Sequence, residues 1–535
     1  MRRPTSSLAT RAPIIAGWML GLGCFAYLMS LPPTLNRADE SYILYEAKRV
    51  LQGQALYRDF FDFLAPGSFY FYALAYALGG TSITSARTAT SLLHALGVVS
   101  TYFLALRVAS AAEAVVAGLL VAVICVPVWN MASHHWIATA FGLATAAVLL
   151  APGWQGSSRL RPAAAGALAG LVLCTHQARG AWLIAWLGVA TVLLALRRTE
   201  TRRWRRCLGE MLWTAAGGAA VCVPILGYAV WHSSLGEMWY ATYTFVNTRY
   251  RRANVGPGSH GFGSVRWAAH SPLTGGGVRY TYLWLLESIP VLLAVEAATL
   301  MWAMWRSGPR SQLLRAALVL LALSAIGGIA YFPGLAHVAF VTPFALPVLA
   351  GIAYRTRKAA ALSRIPAGRG AVRLAWTAVL VVVLAKGWSN YRLLWNGNPE
   401  LYPTAFGTLA GSRQTRDLLR ELRRKLPTDG PTPPRLLAYP MDAWLYLALP
   451  ADNPTPFCLL RPGYNTPGQF ETAIERLDRD PRAFVLVNVL LGSGKRRDAA
   501  FSAYLRTHFH EIARLGPAGQ WKMRLYRLYA RNGQD

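Results

Sequence analysis

Asn36-Arg37-Ala38-Asp39-Glu40-Ser41-Tyr42 follows directly on the first long apolar run of the chain, and the polar stretch after it ends Tyr57-Arg58-Asp59-Phe60-Phe61-Asp62-Phe63. Two adjacent carboxylates therefore stand at the edge of a bilayer, where burying a charge is costly. Asp39 reads as a helix N-cap, because Ile43, Leu44, Ala47, Val50 and Leu51 recur at helical spacing until Gly53 ends the pattern. Such a helix lies along the membrane surface, with Glu46, Lys48, Arg49 and Gln52 off its apolar face. The helix dipole favours an ionised carboxylate at that N-terminus, which suits a plain cap as well as a general base or a metal ligand.

The chain around this stretch is too apolar and too long for one soluble domain: 535 residues, 54% of them hydrophobic, with only 15% charged and a mean hydropathy of +0.30. Lys and Arg number 54 against 24 Asp and Glu, a formal net charge of +30. The arginines cluster between apolar runs, as the positive-inside rule requires, and do not form an aromatic-lined groove for nucleic acid. The six cysteines, Cys24, Cys125, Cys174, Cys207, Cys222 and Cys458, include no CxxC, so neither a disulfide framework nor a cysteine zinc site is indicated.

Counting apolar runs outward predicts a multi-pass α-helical membrane protein of about 11 transmembrane helices. The first run, Pro13 to Leu31, is too long for a cleavable signal and reads as an uncleaved anchor. Spans follow at about Ala86–Leu106, Ala112–Val128 and from His135 to before Pro152. The region Ala163 to Leu196 holds two, turned by the polar hexad Thr175-His176-Gln177-Ala178-Arg179-Gly180. Further spans lie at about Met211–Trp231, Tyr282–Trp305, Leu313–Tyr331, His337–Tyr354 and Leu374–Trp388. Basic loops, of which Arg197 to Arg206 is the richest, alternate with them and place the N-terminus inside and the C-terminus outside. The aromatic stretch Ser68 to Tyr76 is short and belongs in the interface.

From about Asn390 the hydropathy falls. The expected division is a membrane domain over 1–390, with an outer loop at 32–85, and a small extracytoplasmic α/β domain over 391–535. Within the latter, Ser412 to Leu426 reads as a basic helix and Arg435 to Tyr439 as a strand. Thr466-Pro467-Gly468-Gln469 is a capping box with proline at the first helical position. Ala483 to Leu491 and Lys522 to Tyr529 read as further strands. Gly492-Ser493-Gly494-Lys495 is not a phosphate loop, because Val489 stands where the first glycine is needed and Arg496 follows the lysine.

Residues with chemical capacity gather at one membrane level. His134 and His135 lie at the outer mouth of the fourth span, level with Asp39. Neighbouring helical residues diverge, so the pair can share an ion only from an irregular helix end. Arg87, Arg179 and Gln177 stand at the same level, and arginine matches a phosphate with a two-pronged fork, although arginines also simply snorkel to an interface. His337 and Tyr331 flank the turn at Pro333-Gly334. Glu287 and Glu296 lie within the eighth span, where an acid either serves function or pairs with a polar group of a neighbouring helix.

The run Ala38-Asp39-Glu40-Ser41-Tyr42, then Leu51 to Phe63, then Pro66-Gly67-Ser68-Phe69-Tyr70, resembles the first outer loop of GT-C membrane glycosyltransferases. It is most similar to the family 39 branch, with its protein O-mannosyltransferases and lipid A aminoarabinose transferases. The resemblance implies a polyprenyl-phosphate sugar donor, an envelope acceptor (lipid, glycan or protein) and inverting transfer on the extracytoplasmic face, while the high Ala content and the excess of Arg over Lys point to a bacterial inner membrane. Asp39 carries over as the catalytic acid/base or acceptor-orienting residue, with Glu40 beside it in the motif. Relatives often have a lysine before the proline to contact donor phosphate. Leu64-Ala65-Pro66 lacks it, which shifts that task to Arg58, Arg87 or Arg179. Tyr42, Asp59, Gln177 and His337 are substrate-binding candidates, and a divalent ion (Mg, Mn or Zn) on Asp39, His134 and His135 is an option some relatives do without. Nucleic acid is not an expected partner.

Two other classes compete. A transporter or flippase of lipid-linked sugars would show inverted repeats with broken helices at matching positions, and none is visible. A non-catalytic binder of such lipids would lack the acidic pair, and Asp39-Glu40 are present.

Overall fold

The computed structural model describes residues 7–37, 39–152, 159–251, 278–330, 335–362, 366–427, 432–489, 498–516 and 525–533. Helices α1 (Ser7–Met29), α2 (Asp39–Leu51), α3 (Gly67–Gly79) and α4 (Ile83–Ala105) open the chain. Helices α5 (Ala111–Leu120), α6 (His134–Leu149), α7 (Leu160–Thr175), α8 (Gln177–Arg197), α9 (Arg203–His232) and the short α10 (Leu235–Trp239) follow. Then come α11 (Val278–Ser307), α12 (Leu313–Gly327), α13 (Leu335–Leu362) and α14 (Pro366–Gly397). The expected spans overlap these helices, the third continuing past α5 through a π-helical turn (Val121–Cys125) and a 3-10 turn (Val126–Trp129), while Tyr331 and the turn at Pro333-Gly334 lie outside the described residues. Seven of the helices among the described residues are long and apolar enough to cross a bilayer, and the apolar segments Ala111–Cys125 and Leu160–Thr175 are shorter.

The sequence explains how the bundle closes. Glycines bring α7 and α9 almost into backbone contact: a Cβ on Gly166 would lie 1.9 Å from the Thr214 carbonyl oxygen, and one on Gly217 1.9 Å from that of Ala163. Small residues permit this approach where lipid supplies no hydrophobic drive to association. At the α5 end of the bundle opposite α2, acids pair with arginines of other helices. Glu296 holds Arg315 at 2.5 Å and Arg355 at 2.7 Å, and Glu113 holds Arg357 at 2.6 Å. Glu296 thus ties α11 to α12 and α13, which answers the question its place in the eighth span raised. The side chain of Glu287 lies outside the described residues.

After α14 the chain turns into a hairpin, β1 (Glu400–Thr404) with β2 (Gly407–Gly411), and then α15 (Arg413–Lys425), capped by Ser412. Next are β3 (Arg435–Tyr439), α16 (Trp444–Ala448), α17 (Pro467–Asp478), β4 (Ala483–Asn488), α18 (Ala499–His508), β5 (Phe509–Leu515) and β6 (Tyr526–Arg531). Helix α17 starts on the expected capping box, with both reciprocal bonds present and Pro467 in the first turn. The sheet order is β3-β4-β6-β5, with β3 and β4 parallel and the remaining pairs antiparallel. The glycine-lysine loop at 492–495 and the start of the strand expected from Lys522 lie outside the described residues.

Period-two alternation decides how this sheet docks. Leu437, Tyr439, Val485 and Val487 face α17 and α18, packing with Phe470, Leu477 and Phe501. Leu436, Ala438, Leu486 and Leu528 face the other way and join one core with Leu445 of α16 and with Ile43, Leu44 and Tyr45 of α2. The sheet is therefore welded to the loop that carries the Asp-Glu pair. Backbone bonds reinforce the contact: Phe61 N–H donates to Pro456 O at 2.9 Å, Ile83 N–H to Phe406 O at 2.8 Å, and Ala410 N–H to Pro33 O at 3.0 Å. The Asn453 N–H donates to the Tyr45 hydroxyl at 3.0 Å. Arg37 lies over the Trp444 ring at 4.6 Å and donates to Thr415 of α15.

Candidate active site

Helix α2 starts at Asp39, with Asp39 and Glu40 in its first turn and Lys48 and Arg49 in its last, the charge order the helix dipole favours. Ile43, Leu44 and Ala47 are buried against the sheet core. Asp39, Tyr42 and Glu46 recur at i, i+3 and i+7 along one stripe.

The Asp39 side chain is exposed, yet protein atoms crowd around it. This crowding pushes its carboxyl up to about 6. Asp62 is also pushed up to about 6, chiefly by burial and against the Leu64 N–H that donates to it at 2.7 Å. Glu46, wholly buried, is held well above the ordinary carboxylate range by burial first and by Asp62 second. Asp39, Asp62 and Glu46 thus form a group of acids, with Arg49 within electrostatic reach of Glu46. Tyr464, from the loop before α17, lies within electrostatic reach of Asp39, Asp62, Tyr42 and Tyr250. Its ring stands 6.1 Å from Phe63, 5.4 Å from Phe245 and 6.0 Å from Tyr250, which builds an aromatic rim beside the acids.

Glu40 has a different environment. It is fully buried, and Arg87 of α4 reaches it through both terminal nitrogens, one at 3.0 Å. It also accepts from Asn36 N–H at 2.8 Å and Ala132 N–H at 2.7 Å, while Arg87 donates to the Thr34 carbonyl. Its oxygens are committed, and so is the Arg87 guanidinium.

Ala132 leads into the third grouping. Ser133 caps α6 in extended conformation, and His134 and His135 are the first two residues of the helix. Their rings lie 4.0 Å apart, against the divergence that a regular helix imposes. His176, the break between α7 and α8, stands 5.3 Å from His134 and 4.9 Å from His135, and His337 of α13 stands 4.7 Å from His135. Arg179, buried in the first turn of α8, donates to His135 O at 2.8 Å and to the Thr139 hydroxyl at 2.9 Å. Gly67, at the start of α3, abuts this hairpin. A Cβ there would meet the Cys174 carbonyl oxygen at 2.7 Å, so the residue after Pro66 has to be glycine.

The fold thus brings Asp39 together with Asp62 and Glu46, pairs Glu40 with Arg87, and gathers His134, His135, His176, His337 and Arg179. Arg58 and Asp59 are not in these groups: they pair with each other at 2.8 Å, with half of the Arg58 side chain exposed. Gln177 reaches the Thr242 carbonyl at 3.4 Å. The only three-donor metal group among the described residues is His134, His135 and His176, without Asp39. Sequence reasoning missed Glu46, Asp62, His176 and Tyr464 as site residues. The helical spacing from Asp39 to Glu46 was the signal for the first, whereas nothing in the sequence marks Tyr464, which arrives through the docked sheet.

A helical bundle with a small α/β unit over its first outer loop is the fold that the chain shares with two groups of solved structures. The chain is similar to ArnT from Cupriavidus metallidurans bound to undecaprenyl phosphate, covering 98% of each chain at 15% identity with a TM-score of 0.57. Against apo ArnT it covers 97% of this chain and 98% of that one, at 15% identity and a TM-score of 0.58. It is also similar to the oligosaccharyltransferase of Archaeoglobus fulgidus in complex with zinc and sulfate, over 96% of this chain and 73% of that one, at 13% identity and a TM-score of 0.52. No family profile and no curated protein matches the chain. At these identities the likeness is one of fold.

Proposed function

We propose that this chain is an integral membrane glycosyltransferase that moves a sugar from a polyprenyl-phosphate donor to an envelope acceptor on the extracytoplasmic face. The reading rests on Asp39, a carboxylate at the head of α2 whose crowded surroundings push it up to about 6 beside Asp62 and Glu46, in a chain similar in fold to ArnT. A glycosyl phosphate already has a good leaving group, so the chemistry needs a base for the acceptor hydroxyl and cationic help for the departing phosphate. Asp39 takes the acceptor proton while the acceptor oxygen bonds to the anomeric carbon. The bond from that carbon to the phosphate oxygen breaks on the opposite face, and the configuration inverts. Raising the carboxyl towards neutrality makes Asp39 a better base at working pH while leaving it ionised.

Arg179 is the cation we assign to the donor phosphate, since Arg87 is paired with the Glu40 carboxylate and Arg58 with that of Asp59, whereas Arg179 donates to the neutral oxygens of His135 and Thr139. Glu40 then acts as a positioning residue that fixes the head of α2 against α4 and the approach to α6. Residues 1–390 form the transferase domain and 391–535 the extracytoplasmic one, which adds Tyr464 to the acceptor side of the site. In this reading the N-terminus is cytoplasmic and the membrane is a bacterial inner membrane. Asp39 lies outside the histidine group, and its part as base needs only its own carboxylate.

The test is transfer of label from a radiolabelled polyprenyl-phosphate hexose into a crude envelope extract by purified protein. Time-dependent labelling of the extract supports the reading. Donor that crosses vesicles intact without losing its sugar contradicts it and favours passage over chemistry.

A further inference from the structure

We propose that His134, His135 and His176 form a zinc site with one open coordination position, which takes an oxygen of a phosphate group. One ligand atom from each of these residues can be chosen so that all lie within 4.8 Å of one another. Tetrahedral zinc with bonds of about 2.0–2.1 Å needs donors about 3.4 Å apart, which small ring rotations supply. His135 and His176 are buried, and the Nδ1 atoms of His134 and His135 are buried without a hydrogen-bond partner. A buried imidazole nitrogen left unpaired is unfavourable, and a metal bond satisfies it.

The three ligands come from two separate elements, the α6 start and the α7–α8 break, and Glu40 and Gly67 brace both. His337 walls the group edge-on and is not among its three donors. Three neutral imidazoles with no carboxylate leave the ion its full charge, and Arg179 stands beside His135. Such a site favours an anion at the remaining position. Nitrogen donors in this geometry select zinc or cobalt over magnesium or calcium. The identity of the anion as donor phosphate rests on the proposed function, whereas the metal itself does not.

The experiment is metal analysis of tag-free full-length protein in detergent, stripped with a chelator, reloaded with zinc and freed of excess. Wild type is expected to retain about one zinc per chain, and the double variant His134→Asn/His176→Asn to lose it while keeping its gel-filtration profile. Cobalt-loaded wild type is expected to show four-coordinate visible absorption that shifts on adding inorganic phosphate. Wild type that retains no zinc, or a folded double variant that retains as much, overturns the site. A cobalt spectrum indifferent to phosphate overturns the open position. If the double variant does not fold, wild-type stoichiometry and the cobalt spectrum decide. Zinc binding without sugar transfer would leave this site standing and sink the transferase reading, and sugar transfer by wild type that retains no zinc after reloading would do the reverse.

Discussion

Arg87 and Glu40 form a two-pronged ion pair across the gap between α4 and the head of α2, and Glu40 there is wholly buried. Breaking a buried pair from one side leaves an uncompensated charge in a low-dielectric site, which costs about 3–5 kcal/mol. Arg87→Met is therefore expected to lower the thermal midpoint of the detergent-solubilised protein steeply. Arg87→Lys should rescue little, because an ammonium cannot reproduce the fork. A midpoint unchanged in Arg87→Met would show that the pair does not brace α2.

Burial raises the Asp39 carboxyl from 3.8 to about 6, so the folded chain holds that proton to higher pH than the unfolded chain. Between about pH 4 and pH 6 the folded state binds more protons, and stability falls as pH rises through this window. Above it the full penalty remains. Asp39→Asn removes the ionisation, so its thermal midpoint should exceed wild type at pH 7 and fall less between pH 4 and pH 6. Parallel profiles for the two proteins would contradict the crowded position of Asp39.

Gly217→Ala places a methyl where the Ala163 carbonyl oxygen sits 1.9 Å away, so α7 and α9 must separate. Overpacking of this kind costs about 1–3 kcal/mol. Gly209→Ala, on the same helix with nothing within 4 Å, is the control and should be neutral or slightly stabilising. Equal midpoints for both variants would argue against the close crossing.

Tyr45→Phe removes the acceptor of the Asn453 N–H, a buried donor at the junction of α2 and the sheet. An orphaned buried donor costs about 1–3 kcal/mol. The loss should appear as faster proteolysis beyond Asn390, because the bond ties that half to the loop. Unchanged protection would mean that the apolar core alone holds the sheet in place.

Much of the architecture was legible because its signals are local. Apolar length and basic loops marked the helices, and the box at Thr466 with Pro467 marked the start of α17 to the residue. The hairpin β1–β2, helix α18 and strand β5 went unseen, since short elements with mixed composition take their structure from the sheet they join. In the site, Asp39 stood out through its neighbours in sequence. Glu40 looked equally chemical, and only the fold reveals that Arg87, Asn36 and Ala132 occupy it. His134 and His135 were visible as a pair, but His176 joins them through a hairpin whose closure no spacing rule encodes.

The central claim is that Asp39 is the base of a sugar transfer. Its most direct test is the turnover of a polyprenyl-phosphate sugar donor by Asp39→Asn beside wild type, with both proteins shown to be folded. Asp39→Asn is expected to lose between about 100-fold and about 10,000-fold in turnover, the range general-base catalysis supplies, with donor binding retained. Wild-type turnover in Asp39→Asn would contradict it.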